Sequence, residues 1–229
     1  VKYSDNVWHA LKVGFANEIG NISKAVGIDG HAVMEIFCQD QKLNLSPYYM
    51  KPGFAFGGSC LPKDVRALTY KAHSLDIDVP ILDSIMPSNQ AQIDKGLRMV
   101  MEKGNKNVGI LGFSFKAGTD DLRESPLVEL IERLLGKGYN LKLYDRNVNI
   151  ASLVGANRDY ILNQIPHISK LMVKSINEVL EHAETVVIGN GDTAFSAVLD
   201  RLKDNQVLVD LVRITPEKSQ DGQYDGICW

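Results

Sequence analysis

Apolar residues recur at helical spacing over the first part of the chain. Val7, Trp8, Leu11, Phe15, Ile19, Ile22 and Val26 cluster on one side at about 100° per residue. Lys2, Asn6, His9 and Asn17 fall within about 80° of one another on the opposite side. The pattern predicts one helix with an apolar face and a stripe of hydrogen-bonding groups. Such a stripe is ordinarily a solvated face. This one holds few acids and the amides of Asn6 and Asn17, which plain solvation does not require. A second helix is predicted over 30–39. Periodicity is then lost over 45–59, among Pro47, Tyr48, Tyr49, Pro52, Gly53, Phe54 and Phe56. That segment reads as a binding loop or lid, or as a packed surface loop. Helical spacing resumes after Cys60 to about Ser74. It returns from about Ser88 to Lys103, through Ile93, Leu97, Val100 and Met101, with Pro87 at its start. Gly104-Asn105 closes this helix and marks a domain boundary.

After Lys106 the rhythm changes. Val108 to Phe113 is a short, nearly all-apolar run, as in a buried parallel strand. Pro126 to Leu135 is an amphipathic helix closed by Gly136 and Gly138. Further strands are predicted at Leu141 to Tyr144, Thr185 to Ile188 and Val207 to Leu211. Ile176 to Glu181 and Ala194 to Leu202 take the helical places between them. The fold class is therefore α/β: a helical domain over 1–104, then a small doubly wound parallel-sheet domain over 105–229.

Composition narrows the function. Of 229 residues, 45% are apolar and 23% charged, as in ordinary globular proteins. A net charge of -3 gives no global basic field, so nucleic acid is not an expected partner. No apolar run reaches the length of a membrane span, and no signal peptide is visible. The 3 cysteines are widely spaced and make no disulfide framework, and no Cys/His pairing suggests zinc or another metal. A reducing cytoplasm is the simplest setting for them. The chain opens on Val1 and runs straight into a helical pattern, which reads as a fragment or a processed product.

Two stretches carry chemistry. In Gly57-Gly58-Ser59-Cys60-Leu61-Pro62-Lys63-Asp64, two glycines let another molecule approach the backbone, and Pro62 suits the first position of a helix. Cys60 then stands just ahead of a helix N-terminus with Lys63 nearby, and both stabilise a thiolate. A buried cysteine beside a turn is the plain alternative, and it is the expected fate of Cys38. The second stretch, Ser114 to Pro126, follows the first strand, where open α/β sheets bind ligands. Lys116 and Arg123 there, ahead of a helix start, suit phosphate. Salt bridges to Asp120, Asp121 and Glu124 are an equal alternative. No G-x-G-x-x-G follows any strand, so this is not an obvious NAD-binding half.

Phe56 to Asp64, together with Gly112 to Lys116 and Arg123 to Pro126 in that order, resembles the UDP-glucose/GDP-mannose dehydrogenase family over essentially the whole chain. Tyr48-Tyr49-Met50, Gly53 to Gly58, Gly189-Asn190-Gly191-Asp192 and Gly226 to Trp229 resemble its GDP-mannose branch, which serves alginate synthesis. The resemblance implies an N-terminal NAD-binding Rossmann domain upstream of Val1, with this chain supplying the helical and sugar-nucleotide domains. It implies a four-electron oxidation at C6 of a nucleotide sugar, with NAD as cofactor and a homodimer built on the central helices. The apolar face of the 88–103 helix is compatible with that dimer, or with an internal core.

By the same resemblance Cys60 is the nucleophile, passing through a thiohemiacetal and a thioester. Lys2 and Asn6 stabilise oxyanions at C6. Asp64 handles the proton or water for hydrolysis. His9, Asn17, Tyr48, Tyr49, Phe54, Gly57 and Lys116 match positions used for the sugar nucleotide; Lys63 and Arg123 match residues that touch NAD. Lys51 departs from the pattern, which implies an arginine reaching a neighbouring subunit. A UDP-sugar dehydrogenase and a non-catalytic nucleotide-sugar-binding module stay open as alternatives.

Overall fold

The computed structural model describes residues 1–25, 27–41, 50–74, 76, 79–148, 161, 165–215 and 222–229. The predicted roles of Tyr48 and Tyr49 therefore lie outside the described residues. The chain forms two compact units, Val1–Asp94 with Cys228–Trp229, and Lys95–Ile227.

The first unit is helical. α1 spans Lys2–Ala25, α2 Gly30–Phe37, α3 Leu61–His73, and α4 Pro80–Glu102 continues into the second unit. α2 starts where the Asp29 carboxylate accepts from the His31 amide at 2.8 Å, an N-cap that the residue type favours. α4 corrects the expectation that Pro87 opens a helix: Pro87 lies inside it and Pro80 stands at the start. A proline inside a helix removes one N–H from the ladder. The helix continues because Ile85, Ile93, Leu97 and Val100 on its apolar side are buried. The apolar face of the predicted 88–103 helix is thus core within the chain.

α1 also differs from its pattern. Trp8 is 46% and Phe15 38% exposed, whereas Ala10, Gly14, Ala16, Asn17 and Gly20 are buried. The buried face of α1 is lined by small residues, because neighbouring backbone packs close to it. A Cβ on Gly20 would lie 2.6 Å from the Pro52 side chain and 2.9 Å from that of Cys228. The core of this unit gathers Val7, Ala10, Phe56, Val65 and Ile85, with a second cluster at Ala16, Met34 and Met50. The segment Cys228–Trp229 docks here. Gly30 N–H donates to the Cys228 carbonyl at 3.3 Å, and the Trp229 ring stands edge-on to His31 at 4.9 Å.

The second unit holds a five-stranded parallel sheet: β1 Asn107–Leu111, β2 Asn140–Tyr144, β3 Thr185–Ile188, β4 Val207–Asp210 and β5 Tyr224–Gly226, in the order β2-β1-β3-β4-β5. α5 Pro126–Gly136 links β1 to β2, and α6 Ile168–Leu171 and α7 Ile176–His182 precede β3. The strand order reverses between β1 and β3, which makes their carboxyl ends a switch point. The α/β class and doubly wound parallel sheet are as expected. Two details are not. Over 194–202 the chain forms short 3-10 turns, Thr193–Phe195 and Leu199–Arg201, in place of one helix, and β5 adds an edge strand. Phe195 and Val198 still reach the core beside Leu111, Val186, Ile188 and Leu208, so the turns satisfy the same apolar pattern as a helix would.

Candidate active site

α3 begins one residue after Cys60, and the Asp64 amide donates to the Cys60 carbonyl at 3.0 Å. The thiol is exposed at the positive end of that helix, as its sequence neighbours imply. Gly58 holds a φ of 83°, a conformation that glycine supplies without strain. The turn it makes carries the chain out of the buried loop 54–56 and into the exposed thiol position.

Asp64 lies one turn into α3 and is fully covered. One carboxylate oxygen accepts from the Asn6 side-chain amide, and the other lies 3.3 Å from the Lys63 ammonium. The Asn6 hydrogen bond is the main reason the carboxyl is held below the usual carboxylate range. Burial opposes it, and Lys63 and the charge of Lys2 reinforce it. One ionised carboxylate therefore ties α1 to α3. Asn6 and Lys2 of α1 thus act on Asp64 of α3, which lies four residues after Cys60. An exposed thiol at a helix N-terminus, and one turn on a carboxylate flanked by Lys63, are groups of the kind that suit attack on a carbonyl and stabilisation of the oxyanion formed.

The remaining members of the α1 stripe separate. Lys2 is exposed and His9 half-buried. Asn17 is buried and holds the loop: it accepts from Gly53 N–H at 2.8 Å and donates to the Phe54 carbonyl at 3.2 Å. Its observed contacts make it a clamp on that loop. Sequence reading missed two partners on α4. Asn89 accepts from Phe56 N–H at 2.8 Å and returns a bond to the Phe56 carbonyl at 3.0 Å. Gln92 donates to the Gly53 carbonyl and accepts from Asn21 at 2.9 Å. No local signal marks these amides, since buried and solvated ones recur at the same helical spacing. Phe54 is buried in this loop and Gly57 half-buried.

In the second unit, the carboxyl ends of β1, β2 and β3 converge on Asp145. One of its oxygens accepts from Phe113 N–H at 3.0 Å, Ser114 N–H at 3.1 Å, the Ser114 hydroxyl at 2.9 Å and Asn190 at 3.2 Å. The loop after β1 leaves this anchor with Lys116 exposed, its ammonium 5.5 Å from the Phe115 ring centre. Arg123 forms a two-pronged pair with Asp121 at 2.9 and 2.7 Å. That hydrogen bonding is the leading cause of the lowered Asp121 pKa. Of the two readings of this loop, the salt bridge is thus formed at Arg123, while Lys116 remains an exposed cation. Ser125 does not cap α5 with its side chain; its hydroxyl donates to the Phe113 carbonyl at 2.8 Å and fixes the loop's two ends to each other.

Residues 1–91 match the sequence model of the UDP-glucose/GDP-mannose dehydrogenase family's central domain, and residues 109–217 that of the same family's UDP binding domain. The chain belongs to the UDP-glucose/GDP-mannose dehydrogenase family. It is 56% identical over 229 residues to a GDP-mannose 6-dehydrogenase of Pseudomonas aeruginosa, covering 100% of this chain and 52% of that protein. A crystal structure of a ternary complex of GDP-mannose dehydrogenase from that organism superposes with a TM-score of 0.76 at 56% identity, over 99% of this chain and 52% of the other. A UDP-glucose 6-dehydrogenase of Bacillus subtilis is 36% identical over 149 residues, 63% of this chain and 33% of that protein. The chain thus spans about half the length of the curated relatives it matches. Nucleotide-sugar dehydrogenases are oxidoreductases, and the fold described above is theirs.

Proposed function

We propose that this chain is the catalytic and sugar-nucleotide part of an NAD-dependent GDP-mannose 6-dehydrogenase, with residues 1–104 supplying the chemistry and 105–229 the nucleotide site. One observation carries the reading: an exposed Cys60 at the head of α3, one turn ahead of an Asp64 kept ionised by Asn6, Lys63 and Lys2. The Cys60 thiolate adds to the C6 aldehyde, and Lys2 and Asn6 balance charge on the oxygen. After oxidation the adduct is a thioester. Asp64, already a carboxylate, takes the proton from the water that cleaves it and releases the acid GDP-mannuronate, a precursor of the alginate type. Two molecules of NAD, bound in turn, would supply the acceptors for the two hydrides, the first released when the C6 alcohol becomes the aldehyde and the second when the thiol adduct becomes the thioester. Lys63, exposed, and Arg123, half-buried in its fork with Asp121, are cations of a kind that fits the NAD pyrophosphate. His9, Asn17, Tyr48, Tyr49, Phe54, Gly57 and Lys116 are assigned to the nucleotide sugar.

The exposed apolar side chains Trp8 and Phe15 on α1 and Ile36 on α2 support a homodimer built on the central helices. Among the described residues no helix is long and apolar enough to cross a membrane, and a cytoplasmic setting keeps Cys60 reduced. The description of residues 109–217 as a UDP binding domain favours a second reading, a UDP-sugar substrate. Thermal protection by GDP-mannose but not by UDP-glucose supports the first reading, and the reverse supports the second. In the full-length protein, Cys60→Ser is expected to abolish net acid formation, read as NADH produced with GDP-mannose. Undiminished activity in that variant would reject the covalent route.

A further inference from the structure

Three amides bracket the chain just ahead of the proposed nucleophile. Asn17 on α1 holds Gly53 and Phe54. Asn89 on α4 holds both backbone groups of Phe56. Gln92, one turn further along α4, holds the Gly53 carbonyl and is itself oriented by Asn21. All three are at most 5% exposed. Only Gly57, Gly58 and Ser59 separate Phe56 from Cys60, and two of those are glycines. Gly57 and Gly58 bring no side-chain anchor of their own to this short link. The place of the thiol is therefore set at two points: the start of α3, fastened by Asp64 to Asn6, and Phe56, fastened by Asn89.

The choice of amides has a physical reason. A buried loop presents N–H and C=O groups together, and only a side chain with both a donor and an acceptor satisfies the pair. Asn89 does this for one residue, as a neighbouring strand would. Gln92 adds a contact to the Cys228 sulfur at 3.4 Å, and that thiol lies 3.6 Å from the Asn21 oxygen. The segment 228–229 is in this way part of the same bracket.

We propose that Asn89 and Gln92 are positioning residues for the Cys60 thiol: they fix residues 53–56 and so hold the sulfur where it meets the substrate. The proposal rests on the reading of Cys60 as nucleophile, and it extends that reading to groups that never touch the reacting atoms. Misplacing a reacting atom lowers the rate of the chemical step more than it lowers substrate binding.

The test uses Asn89→Ala, the milder Asn89→Asp, and Gln92→Glu in the full-length protein. Asn89→Asp keeps the acceptor for Phe56 N–H and loses the donor to its carbonyl. Expected in Asn89→Ala is a fall in kcat of about tenfold or more with KM within about twofold, and a smaller fall in Asn89→Asp and Gln92→Glu. The second readout needs no turnover: the peptide-resolved rate of Cys60 alkylation by iodoacetamide, with Cys38 as the internal reference. The Cys60 rate is expected to change by about twofold or more in the variants as the thiol is displaced, while that of Cys38 stays put. Unchanged kcat and an unchanged Cys60 alkylation rate, with only a lower Tm, would overturn the proposal. So would loss of the far-UV helical signal in all three variants, which assigns the amides to the fold alone. If Cys60→Ser proves fully active, the reading of the nucleophile fails, while the alkylation rate still decides whether the amides position that thiol.

Discussion

The two units fix their functional loops with opposite chemistry. In the first, neutral amides hold the loop ahead of Cys60: Asn17, Asn89 and Gln92 reach both N–H and C=O groups of residues 53–56. In the second, carboxylates do the holding. Asp145 gathers two backbone N–H groups and two side chains at the β1–β2–β3 edge. Asp210, at the end of β4, accepts from Val212 N–H at 2.9 Å, Ile214 N–H at 2.8 Å and the Tyr224 hydroxyl at 2.8 Å. The difference follows from the backbone. Loops leaving the carboxyl ends of parallel strands turn several N–H groups toward one point, which an acceptor-only group satisfies. A loop buried between helices presents donors and acceptors alternately, and a carboxylate there would leave carbonyls unpaired. Amide brackets do not titrate; the Asp210 hub does, with a raised pKa.

The comparison is broken most severely at Asp145. Asp145→Ala strands Phe113 and Ser114 N–H in a buried site and is expected to cost about 3 kcal/mol or more, read from urea unfolding of the second unit. Asn17→Ala, which strands one donor and one acceptor, is expected to cost about 2 kcal/mol in the first unit. Asn17→Asp makes the sharper experiment. It keeps the acceptor for Gly53 N–H but sets a second oxygen against the Phe54 carbonyl, so a bracket that did not titrate acquires a raised pKa. Its stability is expected to fall as pH rises through that pKa by more than the parent's does.

Two native carboxylates allow a paired pH test of opposite sign. Asp64 has a lowered pKa, chiefly from the Asn6 hydrogen bond. Its stabilisation is complete above the unfolded-state pKa and is lost as pH falls through the folded-state value. Asp210 has a raised pKa, chiefly from burial, with its N–H and hydroxyl donors opposing the rise. The folded state then binds the proton more tightly than the unfolded chain, so stability declines as pH climbs from the ordinary carboxylate range through the folded-state value. Asp64→Asn is expected to flatten the acid limb of the stability profile and Asp210→Asn the limb above it, both measured by denaturant midpoints against pH. The smallest effect belongs to Arg123→Ala. Its partner Asp121 is only part-buried, and the loss is expected to be about 0.5 kcal/mol, reduced further by salt.

Some of this was legible in the order of residues. The place of Cys60 was, because a glycine pair, a proline at the second helical residue and a lysine act within one turn of it. The parallel strands were, because each is a short apolar run whose burial on both faces leaves a continuous signature. Asn89 and Gln92 were not legible, since a buried amide and a solvated one have the same helical spacing. β5 was not, since three residues carry no period and its pairing with β4 is entirely long-range. Pro87 misled because its preference for a helix start is local, whereas the helix through it is carried by packing.

The sequence alone thus determined the family, the alternation of helix and strand in the second unit, and the thiol at the head of a helix, all of which depend on neighbours a few residues apart. Tertiary structure alone decided that Asp64 is ionised by an asparagine 58 positions away, that Arg123 is spent on Asp121, and that Asn17 faces a loop rather than water. Those outcomes depend on which polar groups lose their solvent together. Desolvation belongs to the assembled fold, and no local spacing of residues encodes it.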